Sequence, residues 1–382
     1  MNILFCLNTT FNRKNGGIAA VSLTLYKAFV EKGHNCLLLS AEQNQDNIGE
    51  AQYYLPNPIS ESTNDANRTW FRDFIVEKQI DVVINQHGAS PSYLWAIEWS
   101  KDLPVKRLTV FHSDLDALWS CHRGSIINNP LVKCLKLQPV IDSLWRLLFK
   151  FKYRSRLRLQ YRFSDKLVFL SDKYYKGFEW FSGIKADEKF VCIHNPVDDE
   201  FNLDIKDIEK ENTLLFVGRL SPEKRLDNLL KVWKLLFPVY PGWRLLIVGE
   251  GPMKEQYENM ALDLQLKNVY FEGYKAPLEY YKKSRIFCLT SETEGLPLVL
   301  VEAMSCGCVP ISFNSFSSAT DIIDQASSGY LLAPFNIQAY ADCVSSLMEN
   351  EELLGTVAVG AKEKSKDFLI DNIVSQWEKV FV

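Results

Sequence analysis

No stretch of this chain reaches about 18 uncharged apolar residues, the length a membrane-spanning helix needs, so no span is expected. The N-terminal MNILFCLNTTF has no cationic residues ahead of its short apolar run and reads as a first strand rather than a signal peptide. Nine cysteines, an odd number at irregular spacing in 382 residues, do not form a disulfide framework and fit thiols in a reducing cytosol. Cys306-Gly-Cys308 has no matching His or Cys pair elsewhere, so no zinc site is expected. No G-x-G-x-x-G follows the first strand, and Gly249-Glu250-Gly251-Pro252 lacks the third glycine, which excludes a dinucleotide fingerprint. Internal repeats and low-complexity runs are also absent.

The length suits two domains, and 47% apolar composition is enough to bury two cores. Apolar strands alternate with helical patterns throughout. Asn2 to Leu7, Asn35 to Ser40, Asp81 to Ile84, Arg107 to Phe111 and Lys166 to Leu170 read as strands of a first domain, with a helix from Ile18 to Lys32. Leu214 to Val217, Arg244 to Val248, Val269 to Phe271, Ile286 to Leu289 and Val309 to Ser312 read as strands of a second. Such βα alternation predicts an α/β fold with parallel sheets and right-handed crossovers. Asn-Pro, Asp-Asp and alternating charges between Asn195 and Glu211 interrupt the apolar pattern and mark the break. The expected domains are 1–198 and 199–367, with a helix from about 368 to 382 after them.

Two motifs in the second half carry chemistry. In TLLFVGRLSPEKRLDNLLKVW a buried strand ends at Gly218, and Arg219 and Lys224 follow before an amphipathic helix expected near Pro222. Arg219 can grip two oxygens with its planar fork while Lys224 adds a point charge, a combination that neutralises a diphosphate. In SETEGLPLVLVEAMSCG, Glu294 and Glu302 stand eight positions apart, one on a tight loop and one inside the following helix. Gly295 permits the sharp entry and Pro297 suits the first turn of that helix. The amides of Gly295 and Leu296 then form an anion site between two carboxylates.

In order, G-R-L-x-x-x-K (Gly218 to Lys224), G-E-G-P (Gly249 to Pro252), F-E-G-Y (Phe271 to Tyr274) and E-G-L-P-L-V-L-V-E-A-M-S-C-G resemble the retaining glycosyltransferases of family 4. The resemblance runs almost continuously from Leu214 to Pro334. In the first half it is carried by the opening strand, Gly16-Gly17, His112 and Asn195-Pro196-Val197-Asp198. It implies a GT-B fold, two Rossmann-like domains facing each other across a cleft, with the C-terminal helix, including Trp377, crossing back to the first. The N-terminal domain is then expected to bind the acceptor and the C-terminal domain the nucleotide-sugar donor.

The resemblance further implies transfer of a hexose-type sugar from a UDP- or GDP-linked donor with retention and without metal. On it, Arg219 and Lys224 stabilise the departing diphosphate, Glu302 binds the ribose diol and Glu294 holds donor-sugar hydroxyls. The base is expected near Gly273, Tyr274 and Lys275, and His112 beside the reacting carbon. Gly16 and Gly17, at a helix entry, allow backbone amides to approach donor phosphate or acceptor; the same pair also makes an ordinary helix-entry turn. His87 is an acceptor contact only by its position after a strand. Asp114-Leu115-Asp116 has the spacing of a metal-binding pair, but its place at a helix start accounts for it as capping. No covalent nucleophile stands out, which favours front-face transfer. A silent nucleotide-sugar-binding partner of the same fold, or a hydrolase or epimerase acting on the same donor, are the alternatives.

Overall charge is −4, yet ten Lys or Arg and only two acids fall between 133 and 166, giving that segment +8 and the remainder −12. Leu, Trp, Phe and Tyr are interleaved with these cations. The pattern fits either a helix lying on an anionic membrane, suited to a lipid-linked saccharide acceptor at the inner face of the cytoplasmic membrane, or a helix packed in the first domain with solvated charges. Nucleic acid is not an expected partner.

Overall fold

The computed structural model describes residues 1–13, 16–42, 52–60, 64–88, 94–117, 138–205 and 208–382. The chain forms two compact units: Met1–Pro196 together with Ile370–Val382, and Val197–Leu369. The breaks therefore fall after Pro196 and Leu369, where the sequence put them after 198 and 367.

The first unit is built on seven parallel strands: β1 (Asn2–Leu7), β2 (Asn35–Ser40), β3 (Gln52–Tyr54), β4 (Val82–Asn85), β5 (Lys106–Phe111), β6 (Lys166–Phe169) and β7 (Phe190–Cys192), in the order β3-β2-β1-β4-β5-β6-β7. The second has six, β8 (Glu211–Val217), β9 (Arg244–Val248), β10 (Val269–Gly273), β11 (Ser284–Leu289), β12 (Val309–Phe313) and β13 (Tyr330–Leu332), in the order β10-β9-β8-β11-β12-β13. Central strands read as unbroken apolar runs because helices cover both faces of each sheet. In the second unit Phe216, Trp233, Ile247, Ile286 and Tyr340 share one core.

Both strand orders reverse once, between β1 and β4 and between β8 and β11. In open parallel sheets this switch point leaves a crevice beyond the carboxyl ends of the two strands, and ligands bind there. The loops after β1 and β4, and after β8 and β11, border these two crevices.

Three strands were not expected. β3, β7 and β13 are three residues each, at the sheet edges, too short to display an alternation that distinguishes strand from turn. The helix expected near Pro222 starts later: Pro222–Lys224 is a 3-10 turn, Arg225 adopts a left-handed conformation with φ 49°, and the α-helix runs Leu226–Leu236. The C-terminal helix, Ile370–Phe381, packs on helix Gly17–Glu31 of the first unit. Phe29 meets Phe381 with ring centroids 5.3 Å apart and Trp377 at 6.3 Å, and Lys32 Nζ lies 2.9 Å from Asp371.

Candidate active site

The loop after β8 is clamped from beneath by the glycine turn after β9. Gly218 N–H donates to Val248 O at 3.0 Å, Leu220 N–H to Glu250 O at 2.9 Å, and Met253 N–H to Leu220 O at 3.0 Å. Gly249 has φ 150°, and a Cβ there would collide with Gly218 O. A Cβ on Gly251 would strike the backbone of Leu220. The G-E-G-P motif is thus explained by close backbone approach, which fixes the turn carrying Arg219.

Arg219 is exposed, and its guanidinium has neither hydrogen bond nor ion pair among the described residues. Lys224 Nζ donates to Glu294 Oε1 at 2.7 Å, with the two side chains only 20% and 10% exposed. This pair joins the two sides of the switch point, since Lys224 follows β8 and Glu294 follows β11. The loops are also tied through backbone: Glu292 N–H donates to Glu223 O at 2.7 Å, and Thr290 Oγ1 to Arg225 O at 3.0 Å. Arg225 itself is committed to Asp227 and Glu292, with its guanidinium 5.3 Å from the Phe335 ring centroid. Its role is to hold the turn.

Beyond Glu294 the chain enters helix Leu298–Ser305. Pro297 is the N-cap, with φ −71° and ψ 97°, so it precedes the first turn rather than occupying it as expected. A proline there still removes one amide that would need a partner. Among the described residues no acceptor takes the amide protons of Gly295 and Leu296. Ser318 Oγ donates to Gly295 O, fixing the loop from the other side.

Glu302 lies in the second turn of this helix, and Tyr281 Oη donates to its Oε2 at 2.9 Å. Tyr281 is fully buried; burial first, and then the Glu302 carboxylate, push its phenol well above the ordinary range. It therefore stays a donor. The carboxyl end of the helix is held by two ammonium groups: Lys210 Nζ donates to Cys306 O at 2.6 Å and Lys362 Nζ to Ser305 O at 2.9 Å. Cations at that end complement the helix dipole. Tyr281, Lys210 and Lys362 were not read from the sequence, because nothing local couples them to Glu302.

At the end of β10, Gly273 has φ 72° and its carbonyl accepts from Gly249 N–H at 2.8 Å. Tyr274 is 75% exposed, and Lys275 Nζ is bound to Glu272 at 2.8 Å. These three stand two strands away from β8, at the same edge of the sheet.

In the first unit, Gly16 has φ 112° and its carbonyl accepts from Ala20 N–H at 3.1 Å, so the helix entry requires glycine at this position. Gly17 opens helix Gly17–Glu31, and a Cβ there would meet open space. His112, after β5, is 8% exposed and donates through Nε2 to Gln86 Oε1 at 2.7 Å. Burial, reinforced by nearby His87, lowers its pKa to about 3. His87 is also held neutral by burial, with a pKa of about 4. Neither ring is a proton donor of the imidazolium type near neutral pH. Gln86 was missed by the sequence reading; parallel pairing of β4 and β5 brings it to His112.

Asp114 Oδ1 accepts from Asp116 N–H at 3.0 Å, and Asp116 pairs with Arg146 at 2.5 Å. Both carboxylates have protein partners, in keeping with capping. Among the described residues, no group of three or more His, Cys, Asp or Glu side chains is arranged so that it could hold a metal ion. No disulfide joins the described cysteines, and no described helix is long and apolar enough to cross a membrane. The first residues of the basic stretch, 133–137, lie outside the described residues; 138–163 form helix Gln138–Phe163, and Lys166 opens β6.

Comparison with known proteins follows this division of the chain. The model for Glycosyltransferase Family 4 matches residues 15–201, and that for Glycosyl transferases group 1 matches 198–364. An uncharacterised glycosyltransferase of Haemophilus influenzae is 27% identical over 374 residues, 96% of either chain. An α-1,4-N-acetyl-D-galactosaminyltransferase of Campylobacter jejuni, named for a diNAcBac-PP-undecaprenol-linked acceptor, is 29% identical over 60% of this chain and 63% of its own. Among solved structures, Anabaena HepE in complex with UDP superposes with a TM-score of 0.76 at 17% identity, over 100% of this chain and 99% of that one. The fold is GT-B. With contiguous matches to both family models on the two units described above, the chain belongs to the family 4, group 1 glycosyltransferases.

Proposed function

We propose that this enzyme transfers a hexosyl residue from a UDP-sugar to a saccharide on a lipid-linked carrier, with retention of anomeric configuration and without a metal ion. The observation that carries the reading is the cation set at the β8/β11 switch point: Arg219 and the amides of Gly295 and Leu296, without a partner among the described residues, and Lys224 beside Glu294. A diphosphate leaving group gains negative charge as the glycosidic bond breaks, and preorganised donors of this kind stabilise it. Such a set replaces the charge a divalent ion would supply. UDP is favoured over GDP by the likeness to HepE, and a polyprenyl-linked acceptor by the Campylobacter relative.

Glu302, oriented by Tyr281, is suited to accept two hydrogen bonds from a ribose diol. Glu294 has one carboxylate oxygen engaged by the Lys224 ammonium at 2.7 Å, which holds it as an ion-pair partner rather than a nucleophile aimed at the anomeric carbon. Front-face transfer follows, with the departing phosphate taking the acceptor proton. His112, neutral and hydrogen-bonded to Gln86, acts as an orienting hydrogen-bond partner for a sugar hydroxyl. Gly16 and Gly17 are assigned to the donor phosphate or the acceptor, His87 to the acceptor, and Gly273 to Lys275 to the base.

Incubation with UDP-hexoses and a lipid-linked saccharide, followed by proton NMR of the product, tests this. A new α-glycoside formed from an α-linked donor, at equal rate in EDTA, is expected. Free sugar alone would identify a hydrolase, an altered donor an epimerase, and an untouched donor a binding partner. Inverted product, or activity restored only by manganese, would overturn the mechanism.

A further inference from the structure

Helix Gln138–Phe163 is the one strongly basic element among the described residues, with seven Lys or Arg and a single acid, Asp142, in a chain whose overall charge is −4. One side of its first half packs on helix Tyr174–Ser182. Phe149 lies 5.5 Å from Phe181, and Arg146 and Lys150 lie 4.4 and 4.3 Å from the Trp180 ring centroid. The side facing away from that contact is apolar. Leu144, Leu147, Leu148 and Phe151 recur at i, i+3, i+4 and i+7 and are 54, 43, 48 and 62% exposed, with Trp145 alongside at 43%.

Single exposed apolar residues need no explanation, but a contiguous stripe of this length does. The fold has already used the opposite face, so the stripe is not left over from packing. Lys152, one turn beyond Leu148, and Arg156 prolong it with exposed cations.

We infer that this stripe is an insertion face for an anionic phospholipid bilayer, with Leu144, Leu147, Leu148 and Phe151 entering the acyl boundary and the flanking cations meeting lipid phosphates. The helix lies in the interface rather than across it, since no described helix can span. Charge selects the occupant. A second copy docked through the same face would set two strongly basic helices against each other, whereas an anionic surface attracts each cation. The inference stands apart from the transfer reading, because binding to lipid requires neither donor nor turnover.

The test is flotation of the full chain with vesicles of phosphatidylcholine containing phosphatidylglycerol, against pure phosphatidylcholine, at low salt. The chain is expected to float with the anionic vesicles only, and Leu148→Ser/Phe151→Glu to reduce the bound fraction by about tenfold or more. Both positions are exposed, so unchanged circular dichroism and UDP binding are expected for the variant. A second measurement uses the unsubstituted chain: brominated lipid quenches its tryptophan fluorescence, and Trp145→Phe removes most of that quenching. Failure of the chain to float at low salt, equal flotation of the double variant, or quenching unaltered in Trp145→Phe overturns the inference. So does a dimer, seen by sedimentation, that the double variant abolishes while vesicles are ignored.

Discussion

Lys224→Met is expected to lower kcat/KM for sugar transfer by about 10²–10³-fold, the loss typical when one preorganised donor to a developing negative charge is removed. The same change strands Glu294, which is 10% exposed and has the Lys224 ammonium at 2.7 Å. An ionised carboxylate left without its partner costs about 1–3 kcal/mol. Two readouts separate these effects. Adding Glu294→Gln to Lys224→Met should recover thermal stability, because the uncompensated charge is gone, but it should not recover turnover, because the diphosphate still lacks its cation. The double variant should also fall less far in activity than the product of the two single losses, as expected for groups in direct contact. Strict additivity in both stability and rate would mean that the two residues do not act as a unit.

The first unit should lose stability as pH falls from about 6.5 toward 4, and His112 should account for much of the slope. The direction follows from protonation. His112 and His87 have folded pKa values lowered to about 3 and about 4 by burial, while in the unfolded chain they titrate near 6.5. Below pH 6.5 the unfolded state therefore binds protons that the folded state refuses, and unfolding is favoured progressively. The contribution is intact above the unfolded pKa and lost on descent toward the folded one. Each group contributes on the order of 1.4 kcal/mol per pH unit across that window, so the pair costs about 2–4 kcal/mol between pH 7 and pH 5. Denaturant unfolding at the two pH values measures it. His112→Gln, which keeps a polar group beside Gln86 but cannot titrate, should roughly halve the slope. An unchanged slope would show that the ring is already charged or solvated in the folded chain.

What was legible in the sequence is what local pattern encodes. The central strands of both sheets are runs of Val, Ile, Leu and Phe buried on both faces, and their positions could be read directly. Asn2–Leu7, Asn35–Ser40 and Arg244–Val248 have the expected bounds. The edge strands β3, β7 and β13 could not be read, because three residues are too few to carry a periodicity. The helix start at Leu226 escaped for a different reason: Pro222 looks like a helix entry, and only the left-handed backbone of Arg225 reveals that the 3-10 turn ends first.

At the site, Arg219, Lys224, Glu294 and Glu302 were visible as residue types at meaningful spacing. Their partnerships were not. Lys224 and Glu294 are 70 residues apart and meet because β8 and β11 are neighbours in the sheet. Gln86 reaches His112 through similar strand adjacency, and Tyr281, on the helix before β11, reaches Glu302 on the helix after it. Where the partners come from different crossovers, sequence spacing contains no signal for the contact.

Calorimetric titration of UDP in the presence of EDTA, on the natural chain and on Arg219→Ala, tests the central claim most directly. Arg219 is exposed, and its guanidinium has no hydrogen bond or ion pair among the described residues, so its removal breaks none of those. UDP should bind without metal, and Arg219→Ala should weaken it by about tenfold or more, the worth of a charge-assisted bidentate contact. Heat that appears only after manganese is added, or equal affinity in the two proteins, would contradict a metal-free diphosphate site at the β8/β11 switch point.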